Sequence, residues 1–159
     1  MGAADQHGFD TLRARHYPPD RNQLRAHITL FHQLPPSCLG ELDRLLKTIV
    51  ADAPPPALVS DIFSLGGGVA YRIDSPELLA IRARIADWFA GSLSAQDQGT
   101  PRLHITIQNK VEPAEAKALL AQLRQDFRLR PLVITGLAAH HYRGGPWETA
   151  LERNFRGRR

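Results

Sequence analysis

The chain has 159 residues, 43% of them hydrophobic, with a formal net charge of +4 and a pI near 9.7, which fits one globular domain with a core of its own and a mild bias toward anionic partners. No apolar run approaches the ~20 residues of a membrane span, and the opening stretch Met1-Gly2-Ala3-Ala4-Asp5-Gln6-His7 lacks the apolar core of a secretion signal. Cys38 is the only cysteine, which excludes an intrachain disulfide framework and a thiolate metal cluster and points to a reduced, cytoplasmic setting.

In chain order, the first predicted strand carries Arg25-Ala26-His27-Ile28-Thr29-Leu30. Gln33-Leu34-Pro35-Pro36 leads into a predicted helix over 37–51, where Leu39, Leu42, Leu45, Leu46 and Ile49 form an apolar stripe. Pro54-Pro55-Pro56 stops it. Residues 57–65 read as a strand, Gly66-Gly67-Gly68 as a turn, and 69–73 as the returning strand. Ser75-Pro76 is a helix start, a capping serine before a first-turn proline. That helix runs over 76–90 with Leu78, Leu79, Ile81, Ile85, Trp88 and Phe89 mostly inward, and Gly91 ends it.

A polar loop over 92–101 precedes the second copy, Arg102-Leu103-His104-Ile105-Thr106-Ile107. Pro113 opens a helix through 127 whose stripe is Ala116, Leu119, Leu120 and Leu123. A strand begins at 132–134, 138–142 is another strand or its continuation, and a turn at Gly144-Gly145-Pro146 leads to a last strand at 147–151.

The order repeats: motif strand, helix, apolar strand, glycine turn, returning strand. Strands joined by such short turns pair antiparallel. The expectation is an α+β fold of two lobes related by an approximate two-fold. The first motif lies in a lobe of about 9–75 and the second in one of about 98–155, with helix 76–90 between. Antiparallel sheets face a central cleft and helices pack outside.

A strand sends alternate side chains to opposite faces. In each copy Arg, His and Thr share one face, while Ile28, Leu30, Ile105 and Ile107 enter a core. Cleaving a phosphodiester needs a base for the attacking oxygen, an acid for the leaving oxygen and donors for the phosphoryl charge, with attack and departure in line. One histidine on each wall meets that need, since imidazole titrates near neutral pH. Residues i and i+2 on a strand lie ~6.6 Å apart, so Thr29 and Thr106 can hold non-bridging oxygens while His27 and His104 address bridging ones. The scheme requires no metal and no cofactor.

Arg25 and Arg102 extend the two rows outward and can neutralise phosphate or simply fray. Gln108 and Lys110 continue the cleft-side parity of the second strand. Phe31 does so on the first, either stacking a base or packing in the core. Tyr142 and Trp147 flank the last glycine turn and either line the cleft or pack structurally. The terminal arginines Arg153, Arg156, Arg158 and Arg159 make a solvated tail or a helper patch for nucleic acid. His140-His141 does not suit a metal, because strand neighbours face opposite ways and no carboxylate or cysteine cluster accompanies them. Gly66-Gly67-Gly68 lacks the G-K-[ST] ending of a phosphate loop.

With its two H-x-[ST]-x motifs, His27-Ile28-Thr29-Leu30 and His104-Ile105-Thr106-Ile107, the chain resembles the 2H phosphoesterase superfamily, and within it the bacterial 2'-5' RNA ligase-like proteins. The resemblance spans about residues 9–155. It implies metal-independent hydrolysis of 2',3'-cyclic phosphates, on RNA ends or small cyclic nucleotides, to 2'-phosphates, with ATP-independent 2'-5' ligation as the reverse transfer. By the same analogy His27 protonates the departing 3' oxygen and His104 activates water, although near-symmetry lets either act as acid. Relatives usually begin with an apolar strand ahead of the segment matching Phe9–Leu12, whereas this chain begins with small and polar residues, so the edge of the first lobe is open. A monomer without an obligate protein partner is expected. Two rival readings stand beside the enzyme: an RNA-end binding protein with little turnover, and a cyclic phosphodiesterase of small-nucleotide metabolism.

Overall fold

Proline opens two of the four α-helices among the described residues, one of them behind a serine cap, as the sequence predicts, but the longest helix has no such signal. A computed structural model of the chain describes residues 1–142, 144 and 147–157. Among these, α1 spans Ala3–His16, α2 Leu39–Ile49, α3 Pro76–Trp88 and α4 Pro113–Gln125. The strands are β1 Pro56–Ser64, β2 Gly68–Asp74, β3 His104–Asn109, β4 Arg130–Val133, β5 Gly136–His141 and β6 Glu148–Asn154. Four strands form a sheet in the order β3-β2-β1-β4, and β5 pairs with β6 in a second sheet. The pairs β1/β2, β2/β3 and β5/β6 are antiparallel, so the α+β class with antiparallel sheets holds. The predicted turn residues Gly145 and Pro146, and the terminal Arg158 and Arg159, lie outside the described residues.

The contacts divide into two compact units that do not follow the two sequence halves. The first holds Met1–Thr29, Ala57–Asp74 and Arg102–Val133; the second holds Leu30–Pro56, Ser75–Pro101 and Ile134–Arg159. The histidine and threonine of both motifs therefore fall in the first unit, while Leu30 falls in the second.

In the first unit β1 and β2 form a hairpin. Leu65 N donates to Gly68 O at 2.8 Å, and Gly66 takes φ +86°, a conformation a side chain resists. Alternation along β1 buries Ala57, Val59 and Ile62, and the shift of parity is a bulge between Val59 and Asp61. Helix α4 lays Ala116 and Leu119 against Ile62 and Val69, with Tyr71, Leu120, Leu123 and Phe127 packed around them. From α1, the buried Phe9 meets the Tyr71 ring edge-on at 5.3 Å.

The second unit is built on the predicted stripe of α2, with Leu42, Leu45, Leu46 and Ile49 buried. Ser75 caps α3 as expected: its Oγ accepts from Leu78 N at 3.1 Å and donates to Pro56 O at 2.6 Å, an arrangement whose cap alone is worth ~1 kcal/mol. Two details differ from expectation. Helix α3 ends at Trp88, and Gly91 lies in a separate 3-10 turn, Ala90–Ser92. Trp88 faces outward, its indole N–H donating to Glu41 Oε1 at 2.8 Å, because that bond satisfies the ring's one polar atom at the surface. The polar loop is pinned by the buried Asp97, whose carboxylate accepts from His32 N, Gln33 N and Ser94 Oγ.

Among the described residues no helix is long and apolar enough to cross a membrane.

Candidate active site

The second motif is part of β3, which pairs with β2 from Gly68↔Asn109 to Arg72↔His104. Leu103, Ile105 and Ile107 are buried, while His104 and Thr106 are half-buried and Arg102 is exposed. The first motif is not a strand. Its stretch makes one antiparallel bridge, Ile28↔Ile105, and is otherwise irregular. Over Arg25 to His27 it nevertheless keeps strand parity, with Ala26 buried and Arg25 and His27 exposed, whereas Ile28, Thr29 and Leu30 are all half-buried, so Ile28 and Leu30 do not enter the core as expected, the irregular backbone having only one bridge to hold it.

That single bridge fixes which residues meet. Residues opposite one another in an antiparallel pair share a face, and their neighbours share the other. Ile28 and Ile105 point one way, so His27 lies opposite Thr106 and Thr29 opposite His104 on the other face. By that register the two histidines are diagonal neighbours, a relation that in a regular sheet spans ~7–8 Å.

Each ring is oriented by its own backbone. His27 Nδ1 lies 2.7 Å from Arg25 O, and His104 Nδ1 lies 2.7 Å from Arg102 O. A carbonyl oxygen only accepts, so in both rings Nδ1 carries the proton and donates it. The lone pair of the neutral ring is thereby placed on Nε2. Either Nε2 can take a proton, or hold and release one when the ring is cationic. His104 is also braced by Phe63, edge-on with ring centroids 5.8 Å apart, and the Arg102 guanidinium lies over Phe63 at 4.9 Å.

The irregular first motif gets its support from α1. Gln6 and Asp10 lie one turn apart and grip Ala26 from both sides. Asp10 Oδ1 accepts from Ala26 N at 2.7 Å, and Gln6 Nε2 donates to Ala26 O at 2.9 Å and to Asp10 Oδ1 at 3.0 Å. Asp10 Oδ2 accepts from Arg25 Nε at 2.9 Å. Burial pushes the Asp10 carboxyl up, but these bonds from Ala26, Arg25 and Gln6 outweigh it and hold the group below the ordinary carboxylate value. One further turn along, the buried Arg13 donates from Nη1 to Thr106 O at 2.7 Å and from Nε to Asn22 Oδ1 at 3.1 Å, with its guanidinium 4.3 Å from the Tyr17 ring centroid. Burial lowers this guanidinium from its ordinary value, against the opposing pull of Tyr17 and Asp10.

The first unit thus brings together His27, Thr29, His104, Thr106, Arg25 and Arg102. Gln108 is placed differently from expectation. A bulge in β3 lets Val69↔Gln108 give way directly to Ala70↔Thr106. The parity changes there, and Gln108 is 1% exposed with its Nε2 donating to Glu115 Oε1 at 3.0 Å. Lys110 leaves the strand altogether, at φ 63°. Phe31 and Tyr142 belong to the second unit. The Arg82 guanidinium covers Phe31 at 4.7 Å, and the exposed Tyr142 lies against Trp147 with ring centroids 4.9 Å apart.

Sequence reasoning missed Gln6, Asp10, Arg13 and Arg72. The first three carried a signal, since spacings of four and three put them on one helical face beside Phe9. Arg72 is the exposed cross-strand neighbour of His104 and pairs with Asp74, Nε to Oδ1 at 3.2 Å. Among the described residues no group of three or more His, Cys, Asp or Glu is arranged to hold a metal ion.

Compared with known proteins, residues 2–146 match the model of the 2'-5' RNA ligase superfamily. No curated protein matches the chain. The matched span takes in both histidine motifs, the sheet that carries the second and the helix that holds the first, and on that ground the chain belongs to the 2'-5' RNA ligase superfamily, with the fold of the 2H phosphoesterases.

Proposed function

We propose that the protein is a metal-independent phosphodiesterase that opens 2',3'-cyclic phosphates, on RNA ends or nucleotides, to 2'-phosphates. Membership of the superfamily gives an activity of the phosphoesterase or 2'-5' RNA ligase type. The finer reading is supported by one observation above others: two imidazoles on one face, each with Nδ1–H tied to the carbonyl two residues back.

In this reading the cyclic phosphate sits between the two Nε2 atoms. His104 Nε2 takes a proton from water as the water oxygen bonds to phosphorus. The P–O3' bond breaks, and His27 Nε2–H gives its proton to the departing 3' oxygen. The products are a 2'-phosphate and a 3'-hydroxyl, and proton transfer between the rings through solvent resets the pair. The Thr29 and Thr106 hydroxyls donate to non-bridging oxygens, and Arg25 and Arg102 offset the phosphate charge from the outer ends of the rows. With a 5'-hydroxyl in place of water, the same displacement makes a 2'-5' linkage.

The test is turnover of a cyclic-phosphate-ended oligoribonucleotide and of 2',3'-cyclic mononucleotides in the presence of EDTA. The expected product is the 2'-phosphate. An oligonucleotide that binds and is returned uncut would make the protein an RNA-end binder instead. Mononucleotides turned over as well as RNA would place it in small-nucleotide metabolism.

A further inference from the structure

His27 Nδ1 donates to the carbonyl of the Arg25–Ala26 peptide group, and the N–H of that same peptide group donates to Asp10 Oδ1. Carboxylate, peptide and imidazole form one chain of hydrogen bonds, both links 2.7 Å. Such chains polarise one another: a carboxylate on the N–H makes the carbonyl at the other end a better acceptor. A negative charge at the far end also favours the cationic ring. We propose that Asp10 is a positioning residue for His27, acting through the Arg25–Ala26 peptide group to fix the ring's tautomer and favour its protonated form.

The second motif has a different backing. There the carbonyl of Leu103, the counterpart of Ala26, accepts from the backbone Ile73 N at 2.9 Å. In the first motif the equivalent carbonyl bond comes from a side chain, Gln6, at the same 2.9 Å. The helix thus imitates a neighbouring strand, except that the acceptor it offers to Ala26 N is ionised. Among the described residues, the charged and titratable groups that face this segment include Asp10 from α1, Arg25 from the segment itself and His104 from β3, with Arg13 on Thr106 O and Arg72 opposite His104 further out. Arg25 opposes Asp10 in sign and is bonded to it, so the two must be tested separately.

The test is a titration of the histidine ring nitrogens of the full chain by NMR, in the wild type, Asp10→Asn and Arg25→Gln. Asparagine keeps an oxygen for Ala26 N but loses both the charge and the acceptor for Arg25 Nε, which the Arg25→Gln arm controls for, and Arg25 is exposed, so both variants should fold. In Asp10→Asn the His27 midpoint is expected to fall by about 0.5–1 pH unit, with the His104 midpoint unmoved and a smaller share of the Nδ1–H tautomer at His27. In Arg25→Gln the His27 midpoint is expected to rise. An unchanged His27 midpoint in Asp10→Asn, equal movement of both histidines, or a fall in Arg25→Gln would overturn the proposal. The kinetic arm rests on the function proposed above: kcat in Asp10→Asn should drop on the order of tenfold with KM nearly unchanged. If the wild type turns over no cyclic phosphate, that function fails while the titration still decides the role of Asp10.

Discussion

His104 sits in a strand bonded to β2 over several residues, whereas His27 sits on a stretch with a single bridge and a helix behind it. Both rings still end with Nδ1 2.7 Å from the carbonyl two residues back. The ring geometry is local, since it needs only extended backbone at i−2 to i. The placement of each ring is not local: β2 holds one, and Gln6 and Asp10 hold the other. A repeated motif therefore does not require a repeated scaffold. It does mean that the two copies should fail for different reasons.

Removing the rings themselves should show the largest effect. His27→Ala and His104→Ala are each expected to cost at least 100-fold in turnover of a 2',3'-cyclic phosphate, the scale of a lost general acid or base. Circular dichroism should be unchanged for the exposed His27. Near wild-type turnover in either variant would end the idea of a working pair.

From α1, Arg13 reaches Thr106 O in the second motif and Asn22, just ahead of the first. Arg13→Met keeps most of the stem but deprives Thr106 O and Asn22 Oδ1 of their donor. We expect a loss of about 2 kcal/mol in urea unfolding, from carbonyls left unsatisfied out of water. Chemical-shift changes should appear around both His27 and His104; changes confined to one motif would break the link.

Gly68→Ala should sharpen the contrast from the other direction. A Cβ at Gly68 would collide with the backbone of Gln108, at the end of β3. The expected cost is about 1–2 kcal/mol, with shifts in β3 and at His104 and little change at His27. An equal disturbance of His27 would show that the helix does not hold the first copy independently.

The smallest effect is on acid stability. Asp10 and Asp97 both have carboxyls held below the ordinary value of 3.8. For Asp97, burial raises the group and the bonds from His32, Gln33 and Ser94 more than offset it. A depressed folded-state value stabilises the protein above the unfolded value, and that contribution is lost as pH falls through the folded one. Below about pH 4, stability should therefore fall less steeply in Asp10→Asn than in the wild type. The Asp97 share of the fall should remain, since it belongs to the other unit. Parallel curves would mean that Asp10 is not ionised in its bonds with Ala26 and Arg25.

Most of the fold could be read from the chain because its signals were local. The Leu42–Ile49 stripe, Ser75-Pro76, the Gly66–Gly68 turn and Pro113 each act within one element. The parity of the second H-x-T motif could be read as well, because alternation and buried aliphatic neighbours set it. Helix α1 could not, since Phe9 is its one buried apolar residue and its other inward position is Arg13. The absence of a first strand was likewise hidden, because Ala26-His27-Ile28-Thr29-Leu30 has strand composition and its missing partner lies in the helix. Gln108 was misplaced because a bulge inverts parity without marking the sequence.

The dependence of log kcat/KM on pH tests the paired-imidazole account most directly, measured with a 2',3'-cyclic phosphate for the wild type, His27→Ala and His104→Ala. The account predicts a bell for the wild type and a single remaining limb in each variant, the limb lost from one being the limb kept by the other. A bell that keeps both limbs in either variant would contradict it.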